Sequence, residues 1–412
     1  MRILVLTDRF TPEVSAASTR IHAHAKLWQQ AGHEPIIITC VPNFPCGEVF
    51  PGYRNRSLQE ETVDGLRVLR LWTYMAPNEG VFRRVFDYVS YTLTVILQCW
   101  RLPKSDVILA TSPPIFVAVA GWALSKLRRT PWVFEVRDLW PASIRAVGVS
   151  KSGVLNLVEA MELGLYRSAA RVIVLTDPFK IDLTSRGIDP AKIDVVTNAT
   201  DVGDVAPSLP VEQRAALRAR FGLAAESIVV GFVGTLGMAQ GAMALVHAAE
   251  RLRTRSDIEF LVIGQGAERA AIEKAIHELG LRNIRVHNFV PQPEVANILA
   301  MLDIGAVVLK DDPVFHTVIP SKIFELFAAS RPIVAAVEGE ARRIIEDAAG
   351  GRCVAPEDGA AMAEMIGVLA DDPHLRQKAG ENGFAAVKAK YSRTAMAARA
   401  LDTLGRAAGK AG

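Results

Sequence analysis

Twice along this chain, short and nearly unbroken apolar runs end in polar or glycine-rich loops that open onto helical stretches. The first half carries such runs at 3–7, 35–39, 66–72, 107–110, 132–136, 172–175 and 193–196. The second half repeats them at 228–233, 260–263, 284–286, 304–309 and 333–337. A strand with one wet face alternates apolar and polar residues, whereas a run that is apolar throughout belongs to a parallel sheet covered on both faces. Helical stretches at 20–31 (closed by Gly32) and 115–126, and others beginning at Ala242, Ala267 and Pro320, supply that cover. Gly350-Gly351 and 354–356 read as turns, and helices fill 360–404 before an alanine-rich tail that is expected to be loose.

A chain of 412 residues is too long for one core. The polar, proline-containing stretch 204–212 reads as the linker. The expected division is an N-terminal domain 1–205, a second βα domain 206–385, and a closing helix 386–412 packing back on the first. A net charge of +3 gives no ground for a nucleic-acid partner. Cys40, Cys46, Cys99 and Cys353 are scattered, with no CxxC pair and no histidine cluster, so neither a zinc site nor a disulfide framework is expected. MRILVLTDRF is a strand and a polar loop rather than a signal peptide, and no run reaches the length of a membrane span; a cytoplasmic protein is expected.

In α/β sheets, ligands bind at the loops after the strands. The richest such segment is 314–337. Pro320 suits a first helical turn and Ser321 can cap it. Ile323, Phe324, Phe327 and Ala328 form the apolar stripe, and Lys322 and Glu325 share the other face. A cation, a carboxylate and free N–H groups at one helix start suit a phosphate and sugar hydroxyls; this segment alone favours a capped surface helix with an ordinary Lys/Glu pair, and the rest of the chain reverses that order. Gly234-Thr235-Leu236-Gly237 through Gln240 and Gly241 would let backbone approach a phosphate, as would Gly264 and Gly266. Asn288, Phe289 and Val290 form a turn able to read a nucleobase edge. In the first half, Ser15 and Ala16 follow the first strand, and Arg137-Asp138 ends the run at 132–136, pointing into a crevice or closing a loop salt bridge.

The stretch 81–104 is aromatic and basic-flanked: between residues 80 and 130, seven Lys/Arg stand against two acids. That balance suits a helix lying on an anionic membrane face, and a core helix with solvated basic ends is the competing reading.

In this order, FTPEVSAASTR (10–20), PNFPCGEVFPGYR (42–54), TSPP (111–114), EVRDLWP (135–141), VTNATD (196–201), GFVGTLGMAQG (231–241), VIGQGAER (262–269) and IPSKIFELFAASRPIV (319–334) resemble the GT-B glycosyltransferases of family 4. The similarity covers almost the whole chain and is greatest to the WbuB-like branch of O-antigen and exopolysaccharide biosynthesis. It implies two Rossmann-like βαβ domains facing each other across a deep cleft, and glycosyl transfer of the hexosyltransferase type. Glu325 takes the second glutamate of the family's E-x7-E motif, implied to bind ribose hydroxyls; Thr317 stands where the first would be. Thr235 and Gln240 stand where the family often has diphosphate-binding cations, which makes Lys322 the replacement, with Arg20 a further candidate. Arg137 and Asp138 correspond roughly to a histidine region of the family that contacts acceptor or donor sugar.

The expected reaction is retaining transfer from a nucleotide-sugar donor, UDP-linked, to a polyprenyl-diphosphate-linked acceptor at the inner face of the cytoplasmic membrane, with no metal or other cofactor. Two alternatives stay open: an epimerase of nucleotide sugars with the same fold, and a nucleotide-sugar-binding subunit without catalysis.

Overall fold

The computed structural model describes residues 1–410 apart from 14, 45, 77–80, 140–152, 202 and 204–207. Val14, Pro45, Trp140 and Pro141 of the motifs above, and residues 204–207 of the expected linker, therefore lie outside the described residues. The chain divides into two compact units, Met1–Thr197 together with Arg393–Gly412, and Asn198–Ser392.

The first unit is built on β1 (Arg2–Leu6), β2 (Glu34–Cys40), β3 (Leu58–Val63), β4 (Leu66–Leu71), β5 (Val107–Ser112), β6 (Trp132–Val136), β7 (Arg171–Val174) and β8 (Ile193–Val195). They form one sheet in the order β3-β4-β2-β1-β5-β6-β7-β8. Every pair is parallel except β3 with β4. That edge hairpin is absent from the sequence reading, although Asp64 and Gly65 both take positive φ (50° and 80°) and form the two-residue turn that Asp-Gly favours. Its alternating, half-wet pattern hid it among apolar runs.

Helix α1 (Ala16–Gln30) begins four residues earlier than the pattern implied, because Ser15 caps it by accepting from Ser18 N. It packs on the closing helix Arg393–Ala407, where Trp28 Nε1 donates to Ala397 O at 2.8 Å. Met396, Ala400 and Leu404 of that helix are buried; full burial of Leu404 stabilises by about 2 kcal/mol. Asp194 accepts from Thr403 Oγ1 and Arg406, and Lys410 Nζ reaches Asp106 at 2.8 Å, so the tail expected to be loose is anchored through Lys410. The closing segment starts at Arg393, since residues 386–390 finish the preceding helix, Pro373–Lys390.

The second unit carries β9 (Ile228–Val233), β10 (Ile258–Ile263), β11 (Ile284–His287), β12 (Ile304–Val308), β13 (Ile333–Ala336) and β14 (Gly351–Val354), all parallel, in the order β11-β10-β9-β12-β13-β14. Apolar layers cover both faces, one built around Phe324, Leu326 and Phe327, the other around Leu245, Ile272 and Ile366. Glycines set the closest approaches. A Cβ at Gly305 would lie 2.4 Å from Leu326, so this strand position must be bare for the helix Lys322–Ala328 to seat. β14 corrects the turn read at Gly350-Gly351: a Cβ on Gly351 would come within 2.1 Å of Ile333 O, so glycine here serves strand pairing.

Candidate active site

The six-stranded sheet reverses its strand order between β9 and β12, and the loops after β9, β10, β11 and β12 gather at that end. The first two are pressed together. Gly234 N donates to Ile263 O, Leu236 N to Gln265 O, and Glu268 N to Leu236 O. Cβ atoms on Gly264 and Gly266 would fall 1.9 Å from Gly234 O and 2.3 Å from Leu236 O, and Gly234 and Gly266 take φ of 150° and 152°. Only glycine permits that contact. Gly237 belongs to the same loop, whose turn closes as Gln240 N donates to its carbonyl. Glu268 locks the far side, accepting from Ala242 N and pairing with Lys310 Nζ at 3.1 Å.

Lys322 reaches back into this loop from the start of its helix. Its Nζ donates to Gln240 Oε1 at 3.3 Å and stands 3.6 Å above the Phe232 ring. Burial pushes its pKa down to about 7, while the Glu325 carboxylate pulls it up in part. The ring's negative face also favours the ammonium. The structure thus brings together Lys322, Gln240 and Gly234, residues that the sequence separates widely. Pro320 O opens the turn by accepting from Ile323 N, but Ser321 makes no capping hydrogen bond because its own backbone is already helical. The helix runs only seven residues, so the ammonium carries more of the local positive charge than the helix end does.

Thr317 sits in a short 3-10 turn with Oγ1 donating to Val314 O at 2.7 Å. Thr235 is exposed at the loop surface. Asn288 is held by Arg269 and Gln265, which both donate to its Oδ1. Phe289 beside it is half exposed and Val290 packs toward the core. Arg269 and Glu268, which the stretch 262–269 contains but to which the sequence gives no role of their own, are therefore the residues that hold the glycine loops.

In the first unit Arg20 is an anchor. Its Nε donates to buried Glu135 at 3.0 Å, and its terminal nitrogens donate to Thr197 O and Val196 O at 2.7 and 2.9 Å. Ser15 and Ala16 begin α1. Arg137 and Asp138 form no ion pair with each other and line a pocket with Asp8 and Arg9. Among the described residues, no three of His, Cys, Asp or Glu gather as a metal site.

Residues 15–199 match the family described as "Glycosyl transferase 4-like domain", and residues 213–386 match "Glycosyl transferases group 1". A 2-deoxystreptamine glucosyltransferase of Streptomyces kanamyceticus is 32% identical over 69% of this chain and 73% of its own. This chain belongs to glycosyltransferase family 4. WcaI of Escherichia coli K12, described as a colanic acid biosynthesis glycosyl transferase, is 24% identical to the enzyme over 89% of this chain and 91% of its own. The Anabaena HepE structure in complex with UDP-glucose shares the glycosyltransferase's GT-B fold: TM-score 0.74, 17% identity, 98% of this chain and 100% of that one covered.

Proposed function

We propose that the enzyme is a retaining glycosyltransferase that moves a sugar from a UDP-linked donor onto a polyprenyl-diphosphate-linked acceptor, in the synthesis of a cell-surface polysaccharide. The carrying observation is the ammonium of Lys322, set against the glycine loop by Gln240 and Phe232. A diphosphate leaving group gains negative charge in the transition state, and a fixed cation beside it lowers that barrier. The N–H groups of the loop after Gly234 and the Pro320–Ser321 turn add to the clamp, and Glu325 takes the ribose hydroxyls. Asn288, Phe289 and Val290 border the base, and Thr317 the sugar side. For retention, the acceptor hydroxyl attacks the face the diphosphate leaves, and a leaving phosphate oxygen receives its proton. HepE's complex with UDP-glucose supports the donor class, and the relative tied to colanic acid supports the pathway class.

Helix α2 (Val81–Leu97) supports a peripheral membrane site on the inner face. Its Tyr91 and Val95 are buried, while Phe86, Leu93, Leu97 and the following Trp100 are 54–78% exposed at spacings that place them on one face. Arg83, Arg101 and Lys104 flank that face with positive charge suited to anionic lipid. No described helix is long and apolar enough to cross a membrane. The test is calorimetry with UDP on the enzyme and on Lys322→Ala and Glu325→Ala. Both substitutions should weaken binding strongly, and unchanged affinity in both removes the assignment.

A further inference from the structure

Three side chains after β10 and β11 form a relay of hydrogen bonds whose direction is fixed from one end. Arg269 is held at three points. Its Nε donates to Glu273 Oε1 at 2.8 Å, and its Nη1 donates to Gly264 O at 2.9 Å and to Asn288 Oδ1 at 2.6 Å. A guanidinium has donors only, so the Asn288 atom that faces it must be the oxygen. Gln265 meets that same oxygen at 3.3 Å, and a carbonyl oxygen only accepts, so Gln265 must present its Nε2 there. Turning Asn288 over would set donor against donor, and turning Gln265 over would set acceptor against acceptor. Neither amide is free to flip.

What the two amides have left is opposite in kind. Asn288 keeps the Nδ2 donor and Gln265 the Oε1 acceptor, and neither atom makes a hydrogen bond among the described residues. Both side chains are exposed, and the Phe289 ring beside Asn288 is 53% open. The pair also stands next to the glycine loop. Gln265 O accepts from Leu236 N at 2.8 Å, and Gly264 N donates to His287 O at 3.0 Å, so backbone ties the three loops together.

An open aromatic ring beside one donor and one acceptor suits a nucleobase: the ring stacks on the face of any base, and hydrogen bonds read the edge. Uracil offers the O4 acceptor next to the N3–H donor. Cytosine, of nearly the same size, offers the N4–H donors next to the N3 acceptor. Uracil therefore complements Asn288 Nδ2 and Gln265 Oε1. Cytosine sets like against like, and groups that give up water without a partner cost affinity.

We propose that Asn288 and Gln265 make the enzyme select the keto edge of uracil over the amino edge of cytosine, with Arg269 as the positioning residue that fixes both amides. Thymine and guanine share uracil's order, so the rule separates keto from amino bases. The assignment rests on the reading of the loops after β9, β10 and β11 as the donor site.

The test is calorimetry of UDP and of CDP on the full chain, two nucleotides that differ at this edge alone. The parent enzyme should bind UDP at least about tenfold more tightly than CDP. Asn288→Asp puts an acceptor where the donor stood and should cut that ratio about tenfold through weaker UDP binding, and its melting temperature should match the parent's because the side chain is exposed. Arg269→Met lets the amides turn over and should raise CDP affinity toward that of UDP. Loss of a contact that only supported the loops would weaken both nucleotides together. Equal or reversed preference in the parent, or a ratio unmoved in both variants, overturns this proposal and leaves the donor reading intact. A parent enzyme that binds neither nucleotide overturns the donor reading and this assignment with it.

Discussion

At the loops of the second unit, glycines press backbone against backbone around one ammonium, whereas the hollow of the first unit is walled by long charged side chains. Both lie where a sheet reverses its strand order. The difference teaches how one fold divides its labour. On the proposed reading, a diphosphate common to many donors would be held by backbone N–H groups and a single cation, a solution insensitive to the rest of the ligand. Side chains such as those of the first unit can vary in length and charge without disturbing the sheet, which suits discrimination between ligands.

The largest expected effect separates the units by membrane contact. Replacing Phe86, Leu93, Leu97 and Trp100 together by serine should cut binding to phosphatidylglycerol vesicles about a thousandfold, taking about 1 kcal/mol for each partly buried side chain. Because all four are exposed, the melting temperature should hardly move. Equal sedimentation of variant and parent with vesicles would show that this face does not touch lipid.

Next comes the donor cation. Lys322→Ala should weaken UDP binding by about 10- to 100-fold in calorimetry, the range for a charge-assisted contact. Unchanged affinity would break the comparison. Gly264→Ala sharpens it from the backbone side. The added Cβ meets Gly234 O, so the paired loops must part, at a cost of about 2 kcal/mol of stability visible in urea melts.

The smallest effect is in the pH profile. With a pKa near 7 in the free enzyme, Lys322 is charged below that value and neutral above it. Phosphates favour the charged form, so UDP binding above pH 7 must draw in a proton. Affinity should therefore fall by up to about tenfold per pH unit above 7, and the fall should vanish in Lys322→Ala. Calorimetry in buffers of different ionisation enthalpy reads the proton uptake directly. A flat profile in the parent enzyme would mean that Lys322 stays charged or never meets the phosphates.

Much of the sheet framework was legible because each buried parallel strand announces itself locally, by an apolar run bounded by loop residues. The two strands that escaped, β3 and β14, lacked that run: one alternates at a wet edge, and the other opens on glycines that read as a turn. Lys322 could be singled out because the helix it starts has a clear apolar stripe. Arg20 showed its limit, since no local pattern tells an anchoring guanidinium from one offered to a phosphate; only Glu135 and the carbonyls at the end of β8 do.

By itself, the order of residues determined two parallel βα sheets with ligand loops at their strand ends, since burial on both faces imposes a pattern over a handful of neighbours. Which charges meet was settled only by the tertiary structure. Lys322 finds Gln240 from 82 positions away, and Arg9 shares a hollow with Arg84 and Arg137. Sheet order sets those distances, and it is fixed by the packing of whole elements, which no local periodicity encodes.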